Sequence, residues 1–293
     1  MMAKTDSKIC RKNRPGETIF AAGSGKEEKT PMSKQATVYA ITNQKGGIGK
    51  STTAVSLLSG LKRAGKRVLL VDADPQCNSS DTLRAQIHDI ETLYDVLVEG
   101  CAGKVAIQHT PEGDIIPGDP LLAHADSKLP AVGRDNLLRN VIRELAGEYD
   151  YIIIDTPPTF GPMLNNALVA ATYAIVPVTS ERYALAGLSE LARTVELVRR
   201  NTVNENLRIA GLLLVKTDAR RQLTKETMEL LPAICQQMQT KSYRTTIREA
   251  EAVRKSQKNR ETLFAYEDHA GHLTVADDYR AFIQEILEEE NHG

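Results

Sequence analysis

The stretch Lys45-Gly-Gly-Ile-Gly-Lys-Ser-Thr52, which follows the apolar run Thr37-Val-Tyr-Ala-Ile-Thr42, decides the fold. Such a loop binds phosphate because its glycines let successive backbone N–H groups curl around phosphate oxygens, while a lysine contacts the β- and γ-phosphates and a Ser/Thr hydroxyl binds Mg²⁺. A glycine-rich turn would look similar, but the strand before the loop and the helical pattern after it favour a Mg-nucleotide site. The candidate nucleotide-binding residues are Lys45, Gly46, Gly47, Ile48, Gly49, Lys50, Ser51 and Thr52.

The loop has one lysine more than a plain phosphate-binding loop. Lys45 stands at its start, where the ammonium can face away from its own nucleotide and reach a phosphate held by a second subunit. This predicts a dimer that encloses two nucleotides between its subunits. The helix predicted after the loop spans residues 51–63, and Gly65 would cap its C-terminus.

Two further apolar strands are predicted to end in acids. The run Arg67-Val-Leu-Leu-Val-Asp-Ala-Asp-Pro-Gln76 leads into Asp72 and Asp74, and the run Tyr149-Asp-Tyr-Ile-Ile-Ile-Asp-Thr-Pro-Pro158 leads into Asp155. Ligands of open α/β sheets lie at the carboxyl ends of the strands, so Asp72 and Asp74 are expected to point at the γ-phosphate. Asp155 is expected to order Mg²⁺ through a water. Taken alone, each acid fits a helix cap or a turn equally well.

Composition fits one α/β domain, assigned to residues 32–293. The motifs of the 293-residue chain lie in one series of alternating strands and helices, which predicts a doubly wound, mostly parallel sheet with helices on both faces. No apolar run approaches the roughly 18–20 residues that a membrane span needs. The cysteines lack metal-ligand or disulfide spacing, which indicates free thiols and a cytosolic protein; they are Cys10, Cys77, Cys101 and Cys235.

Residues 1–31 differ in kind from the rest. They are rich in Lys, Arg, Gly, Ser and Glu and have almost no apolar periodicity, so we expect a flexible N-terminal extension. A start codon upstream of Met32 would produce the same pattern, and a mildly basic arm that touches DNA is the functional alternative.

With these motifs the chain resembles the ParA/Soj family of partitioning ATPases, in the MinD-like branch of P-loop proteins. The resemblance runs from about Thr37 to Leu287. It rests on "ITNQKGGIGKST", "VLLVDADPQ", "IIPGDPLLAHADSKL", "YDYIIIDTPP", "IVPVTSERYALAGL", "TDARRQL" and a tail similar to that of plasmid-type members.

The resemblance implies ATP and Mg²⁺ as cofactors and a role for individual residues. Lys45 is similar to the lysine that crosses the dimer interface, and Lys50 and Ser51 to the γ-phosphate and Mg²⁺ ligands. Asp74 is similar to the residue that positions the attacking water, and Asp155 to the Mg²⁺-side acid of the second Walker motif.

Two details differ from familiar patterns. The family has glycine where this chain has Cys77, so the turn is expected to have φ and ψ values that suit a residue with a Cβ. Lys216-Thr-Asp218 echoes the guanine-reading Asn-Lys-x-Asp motif but lacks its asparagine. Adenine is therefore implied by the resemblance and not by spacing.

Charge is unevenly spread, although the net charge of the chain is −1. Residues 216–260 contain eleven Lys/Arg and five acids, a net charge of +6, whereas residues 261–293 contain nine acids and one Arg, a net charge of −8. A basic cluster suits the DNA backbone, while a solvated helical face is the alternative. By the resemblance, Arg220 and Arg254 match DNA-contacting arginines; further candidates are Lys255 and Lys258.

Other classes of the same branch fit less well. A MinD-like protein lies on the membrane through a basic helix, but the tail Tyr279–Glu290 is acidic opposite its apolar face, so we expect it to pack on the domain. A nitrogenase-type reductase needs paired cysteines, and a polysaccharide-export tyrosine kinase needs a tyrosine-rich tail. The chain shows neither pattern.

The resemblance thus implies a cytoplasmic, nucleoid-associated ATPase that segregates plasmid, mobile-element or chromosomal DNA. Two subunits would form a homodimer across ATP and bind double-stranded DNA without sequence preference. A ParB-like centromere-binding partner would stimulate hydrolysis and release the dimer. The alternative is a MinD/ParC-like ATPase that positions a non-DNA cargo.

Overall fold

The structure, a computed structural model, describes residues 35–130, 132–180, 187–201 and 204–292. The predicted extension at residues 1–31 lies outside the described residues. Seven strands form one sheet in the order β3-β4-β2-β5-β1-β6-β7. They are β1 (Thr37–Ile41), β2 (Val68–Asp72), β3 (Gln108–Thr110), β4 (Gly113–Ile116), β5 (Tyr151–Asp155), β6 (Tyr173–Thr179) and β7 (Arg208–Val215).

Neighbouring strands pair in parallel throughout the described sheet, apart from the antiparallel hairpin of β3 and β4. Parallel neighbours need a crossover, and the chain supplies helices between the strands for this purpose. The register places Asp155 opposite both Ile41 and Asp72. The carboxyl ends of β1, β2 and β5 therefore lie side by side.

Helices cover both faces of the sheet and form two hydrophobic cores. One core packs α3 to α7 on one face, and the other packs α1 and α8 to α10 on the opposite face. The predicted doubly wound, mostly parallel α/β fold is confirmed. The helices are α1 (Lys50–Arg63), α2 (Asn78–Thr82), α3 (Leu93–Val98), α4 (Leu137–Leu145), α5 (Pro162–Ala170), α6 (Leu188–Asn201), α7 (Gln222–Gln237), α8 (Glu251–Lys258), α9 (Leu263–Ala270) and α10 (Thr274–His292).

The acidic tail forms α10, which packs on the domain as the sequence predicts. Phe282, Ile283 and Ile286 are buried in the core that includes α1. The approach is close, because a Cβ at Gly60 of α1 would overlap the side chain of Ile283. Among the described residues, none of the helices combines the length and apolarity that spanning a bilayer requires.

The cysteines bear on two expectations. Cys77 and Cys235 are free and buried, as the sequence predicts. Cys77 has φ 54° and ψ 31°, the left-handed conformation that glycine adopts more readily. The expectation of a turn suited to a Cβ is wrong, and this backbone costs about 1 kcal/mol. Burial also raises the pKa of Cys77 to about 12.

Replacing Phe282 by alanine should lower the free energy of unfolding by about 3–5 kcal/mol, because it empties a fully buried aromatic site in the core that α10 shares with α1. Gln284→Ala, at an exposed position of the same helix, is the matched control and should change stability by less than about 0.5 kcal/mol. Denaturant unfolding of both variants checks this. Equal stability of the two variants would show that the tail does not pack on the domain.

Candidate functional site

A cavity of about 670 Å³ lies at the carboxyl edge of the sheet. Its lining includes the loop residues from Gly46 to Thr52, Asp74 after β2 and Lys216 after β7. The cavity therefore gathers the motif residues from separate strands at the edge where open α/β sheets bind their ligands.

The loop between β1 and α1 has the backbone of a phosphate cradle. Gly47 and Gly49 have φ values of 69° and 100°, which L side chains rarely adopt. A Cβ at Gly46, Gly47 or Gly49 would meet no atom of the residues that the structure describes within 4 Å, so these residues leave space above the loop. Among the described residues, no side chain caps the N-terminus of α1, which leaves its first N–H groups and the positive end of its dipole available to an anion.

Lys50 lies at the centre of the charged groups. Its side chain is buried, and Nζ donates to the carbonyl oxygen of Lys45 at 3.2 Å. Burial lowers the pKa of Lys50, although the carboxylates of Asp155 and Asp74 oppose this shift. An ammonium held this way can neutralise phosphate charge at little cost of reorganisation.

Lys45 is placed differently from Lys50. Its N–H donates to Oδ1 of Asn43 at 3.0 Å, and the residue is half-buried. Among the described residues, the loop's contribution to the cavity lining begins at Gly46 and does not include Lys45.

Two carboxylates complete the site. Asp74 lines the cavity, Oδ1 accepts from the N–H of Gln76 at 3.0 Å, and burial raises its pKa. Asp155 is fully buried, and its Oδ2 accepts from Oγ of Ser79 at 2.7 Å. Burial raises the pKa of Asp155, and the Ser51 and Ser79 hydroxyls counter this effect.

The donor set fits Mg²⁺. Oδ1 of Asp155 is buried and has no hydrogen-bond partner among the described residues, and the Ser51 hydroxyl is a neighbour of this carboxylate. Hard oxygen ligands of this kind, supplemented by waters and phosphate oxygens, are the usual surroundings of Mg²⁺.

Asp72 is not among the described residues that line the cavity, so the expectation that it points at the γ-phosphate is wrong. Its carboxylate is fully buried, and Oδ2 accepts from the N–H and the hydroxyl of Ser80 at 2.8 and 2.7 Å. Burial, with the nearby Asp155 carboxylate, raises the pKa of Asp72. β2 ends at Asp72, so Asp74 belongs to the following loop, and the strand's alternation does not relate the two side chains.

Part of the cavity was not predicted from the sequence. An apolar portion comes from Val215, Ile247, Ala250 and Val253, which are far from the loop in sequence. Nε2 of Gln257 in α8 donates to Oγ1 of Thr52 at 3.0 Å, so α8 contacts the start of α1 directly. No local pattern in the sequence signals this contact.

The four DNA-binding candidates are all at the surface, but they are not equivalent. The side chains of Arg220, Arg254 and Lys255 are 91%, 73% and 57% exposed, and Lys258 is exposed as well. Arg254 and Lys258 line the cavity of the phosphate loop, whereas Arg220 lines a separate cavity of about 590 Å³. Arg254 therefore lies beside the nucleotide site, whereas Arg220 does not.

The basic segment is also less positive in the fold than along the chain. Several of its basic residues form ion pairs with α10, because the segment with net charge +6 packs beside the acidic tail. The pairs are Lys241–Glu289, Arg244–Glu288 and Arg248–Asp278. Arg254 pairs with Glu249 at 3.0 Å. Exposed pairs of this kind are weak and salt-sensitive, so an incoming phosphate can replace the acid.

Comparison with known proteins agrees with this site. Residues 36–209 match a family model described as an AAA domain. The sporulation initiation inhibitor protein Soj of Bacillus subtilis is 42% identical over 214 residues, which cover 72% of this chain and 83% of that protein. The chromosome partitioning protein ParA of Myxococcus xanthus is 39% identical, over 66% of this chain and 69% of that protein.

A solved structure shows the same fold with ligands. The cobyrinic acid a,c-diamide synthase of Mycobacterium smegmatis, with bound ATP analog and magnesium, superposes with a TM-score of 0.72 at 28% identity, over 87% of this chain and 96% of that one. The sequence relatives, the geometry of the phosphate loop and the positions of Asp74 and Asp155 all indicate the same family. The chain belongs to the ParA/Soj family of partition ATPases, whose cofactors are ATP and Mg²⁺.

Proposed function

We propose that this protein is an ATP-dependent DNA-partitioning ATPase that works as a nucleotide-sandwich dimer. The observation that carries the proposal is the division of the two loop lysines: Lys50 is buried inside the cavity, and Lys45 lies outside its lining. Its relatives are described as partitioning proteins. A second subunit's nucleotide is the anion that Lys45 would reach.

In the proposed mechanism, the loop amides and Lys50 hold the β- and γ-phosphates, and Ser51, with Asp155 acting through a water, holds Mg²⁺. Bound Mg²⁺ neutralises the charge that develops on the phosphates. Asp74 accepts a hydrogen bond from the attacking water and keeps it in line with the γ-phosphate. Phosphoryl transfer needs positioning more than a strong base, which fits a carboxylate in this place.

The geometry counts against the guanine-reading motif that Lys216-Thr-Asp218 resembles. Asp218 is the acid of the segment that resembles the guanine-reading motif. Its carboxylate accepts hydrogen bonds from Nε and Nη2 of Arg220 at 3.0 and 3.2 Å. It lines the separate cavity and not the nucleotide cavity. The carboxylate that would read guanine is therefore engaged elsewhere.

Dimerisation provides the switch between DNA-free and DNA-bound states. The γ-phosphate would favour the dimer, and the dimer would present two copies of the basic surface that includes Arg220, Arg254, Lys255 and Lys258. Doubling the phosphates contacted raises both the affinity and its salt dependence. A ParB-like centromere-binding partner would then stimulate ATP hydrolysis, and the subunits would separate and release the DNA.

Asp74→Ala should bind Mg-ATP and dimerise, since the loop amides, Lys50 and Ser51 are intact. Its turnover should fall by about 100-fold, because the attacking water is no longer held in line. Phosphate release, together with size-exclusion chromatography in ATP, checks this. Glu205→Ala, which removes an exposed carboxylate outside the cavity, is the control. ATP turnover by Asp74→Ala at the rate of the parent protein would show that Asp74 does not position the attacking water.

Arg220→Glu should weaken ATP-dependent DNA binding and reduce its salt slope by about 1 per arginine, while ATP binding and dimerisation stay at parental levels. Nucleotide binding should be unaffected because Arg220 lines the separate cavity. Arg254 lines the nucleotide cavity, so Arg254→Glu would change both DNA binding and the nucleotide site. Biolayer interferometry on two unrelated duplexes at several salt concentrations is the measurement. Arg143→Glu in α4 is the control for charge reversal.

The parental protein should bind the two duplexes alike in ATP and weakly without nucleotide. Tight binding without ATP, preference for one duplex, or unchanged binding by Arg220→Glu would contradict the assignment of this surface. No DNA binding in any nucleotide state would point to a non-DNA cargo.

A further inference from the structure

Lys216 contacts the phosphate loop directly, although it follows β7 and is far from the loop in sequence. Its Nζ donates to the carbonyl oxygen of Gly47 at 2.5 Å. Lys216 also lines the nucleotide cavity, and it is exposed, so burial does not force the contact. A charge-assisted hydrogen bond from an ammonium is among the stronger kinds in proteins.

The backbone at Lys216 holds the side chain in this position. Lys216 has φ 54°, a left-handed conformation that a residue with a Cβ keeps only where its surroundings impose it. Both backbone polar groups of the next residue are hydrogen-bonded. The Thr217 N–H donates to the carbonyl oxygen of Ile247 at 3.0 Å, and the Thr217 carbonyl oxygen accepts from the N–H of Glu249 at 2.9 Å. The turn therefore belongs to the framework around the cavity.

Nearby acids are engaged with arginines. Glu249, which lines the same cavity, pairs with Arg254 at 3.0 Å and with Arg221 at 3.7 Å. Asp218 pairs with Arg220 at 3.0 Å. Among the described residues, the Lys216 ammonium donates to the Gly47 carbonyl oxygen.

Holding the Gly47 carbonyl also fixes an N–H group. In a trans peptide the C=O of residue 47 and the N–H of residue 48 point in opposite directions, so tying down one orients the other. Gly47 has φ 69°, and glycine-rich loops lose much conformational freedom when they become ordered. A loop that is ordered before nucleotide arrives avoids that cost during binding.

We propose that Lys216 is a positioning residue for the nucleotide: it anchors the Gly47–Ile48 peptide so that the phosphate loop is formed before ATP binds. The proposal deepens the function proposed above and rests on it. Lys216 acts on the loop from β7, whereas Lys50 acts from within the loop through the Lys45 carbonyl. The two ammonium groups together hold two carbonyls of the same loop.

Lys216→Met tests this proposal with two measurements. Hydrogen exchange of the segment 45–49 in the nucleotide-free protein should become faster, and the dissociation constant for Mg-ATP should rise about tenfold. Lys225→Met, at an exposed position of α7 outside the cavity, is the matched control and should change neither quantity.

Lys216→Gly separates the ammonium from the backbone. Glycine suits the left-handed conformation, so this variant should be at least as stable as the parent while it shows the same loss of affinity. Lys216→Arg should restore part of the affinity. Unchanged exchange of the loop, or parental affinity in Lys216→Met, would overturn the role of Lys216 alone. Failure of the parent to bind Mg-ATP would overturn the proposed function as well.

Discussion

The rest of the structure depends on one buried charge, the Lys50 ammonium at the meeting point of three parallel strands. Burial disfavours this charge, and the carboxylates of Asp155 and Asp74 make it tolerable. The order β2-β5-β1 brings these groups together, since each comes from the end of a different strand or from the loop after it. Parallel neighbours require crossover helices, and these helices form the two cores that hold the edge in place.

Sequence reasoning succeeded where the signal is local. The phosphate loop, the three strands that lead to it and the packed tail each occupy a continuous run with a clear period, so their structure follows from short-range rules. It failed where two distant elements meet. Lys216 and Gln257 contact the loop and the start of α1 from positions 169 and 205 residues away, and no spacing in the chain signals either contact. The expectation for Asp72 was wrong because Asp72 is the last residue of β2, whereas Asp74 lies in the loop after the strand. The two side chains therefore do not share one direction.

The distribution of charge along the sequence also differs from its distribution on the folded surface. The basic segment and the acidic tail are consecutive in sequence, and their elements pack together so that several arginines face carboxylates of α10. The positive charge left for the proposed contact with DNA is therefore smaller than the count of basic residues suggests. It depends on ion pairs that salt and phosphate can disrupt. α8 connects this surface to the nucleotide, because it carries Lys255 on its exposed side and Gln257 against Thr52. The nucleotide cavity and the proposed DNA surface thus share one helix.

The central claim is that Lys45 serves the partner's nucleotide and Lys50 its own. Light scattering of Lys45→Ala and Lys50→Ala with Mg-ATP, beside direct measurement of nucleotide binding, tests it most directly. The account predicts that Lys45→Ala retains nucleotide binding as a monomer but does not dimerise, whereas Lys50→Ala loses nucleotide affinity itself. ATP-dependent dimerisation of Lys45→Ala equal to that of the parent would contradict the sandwich arrangement.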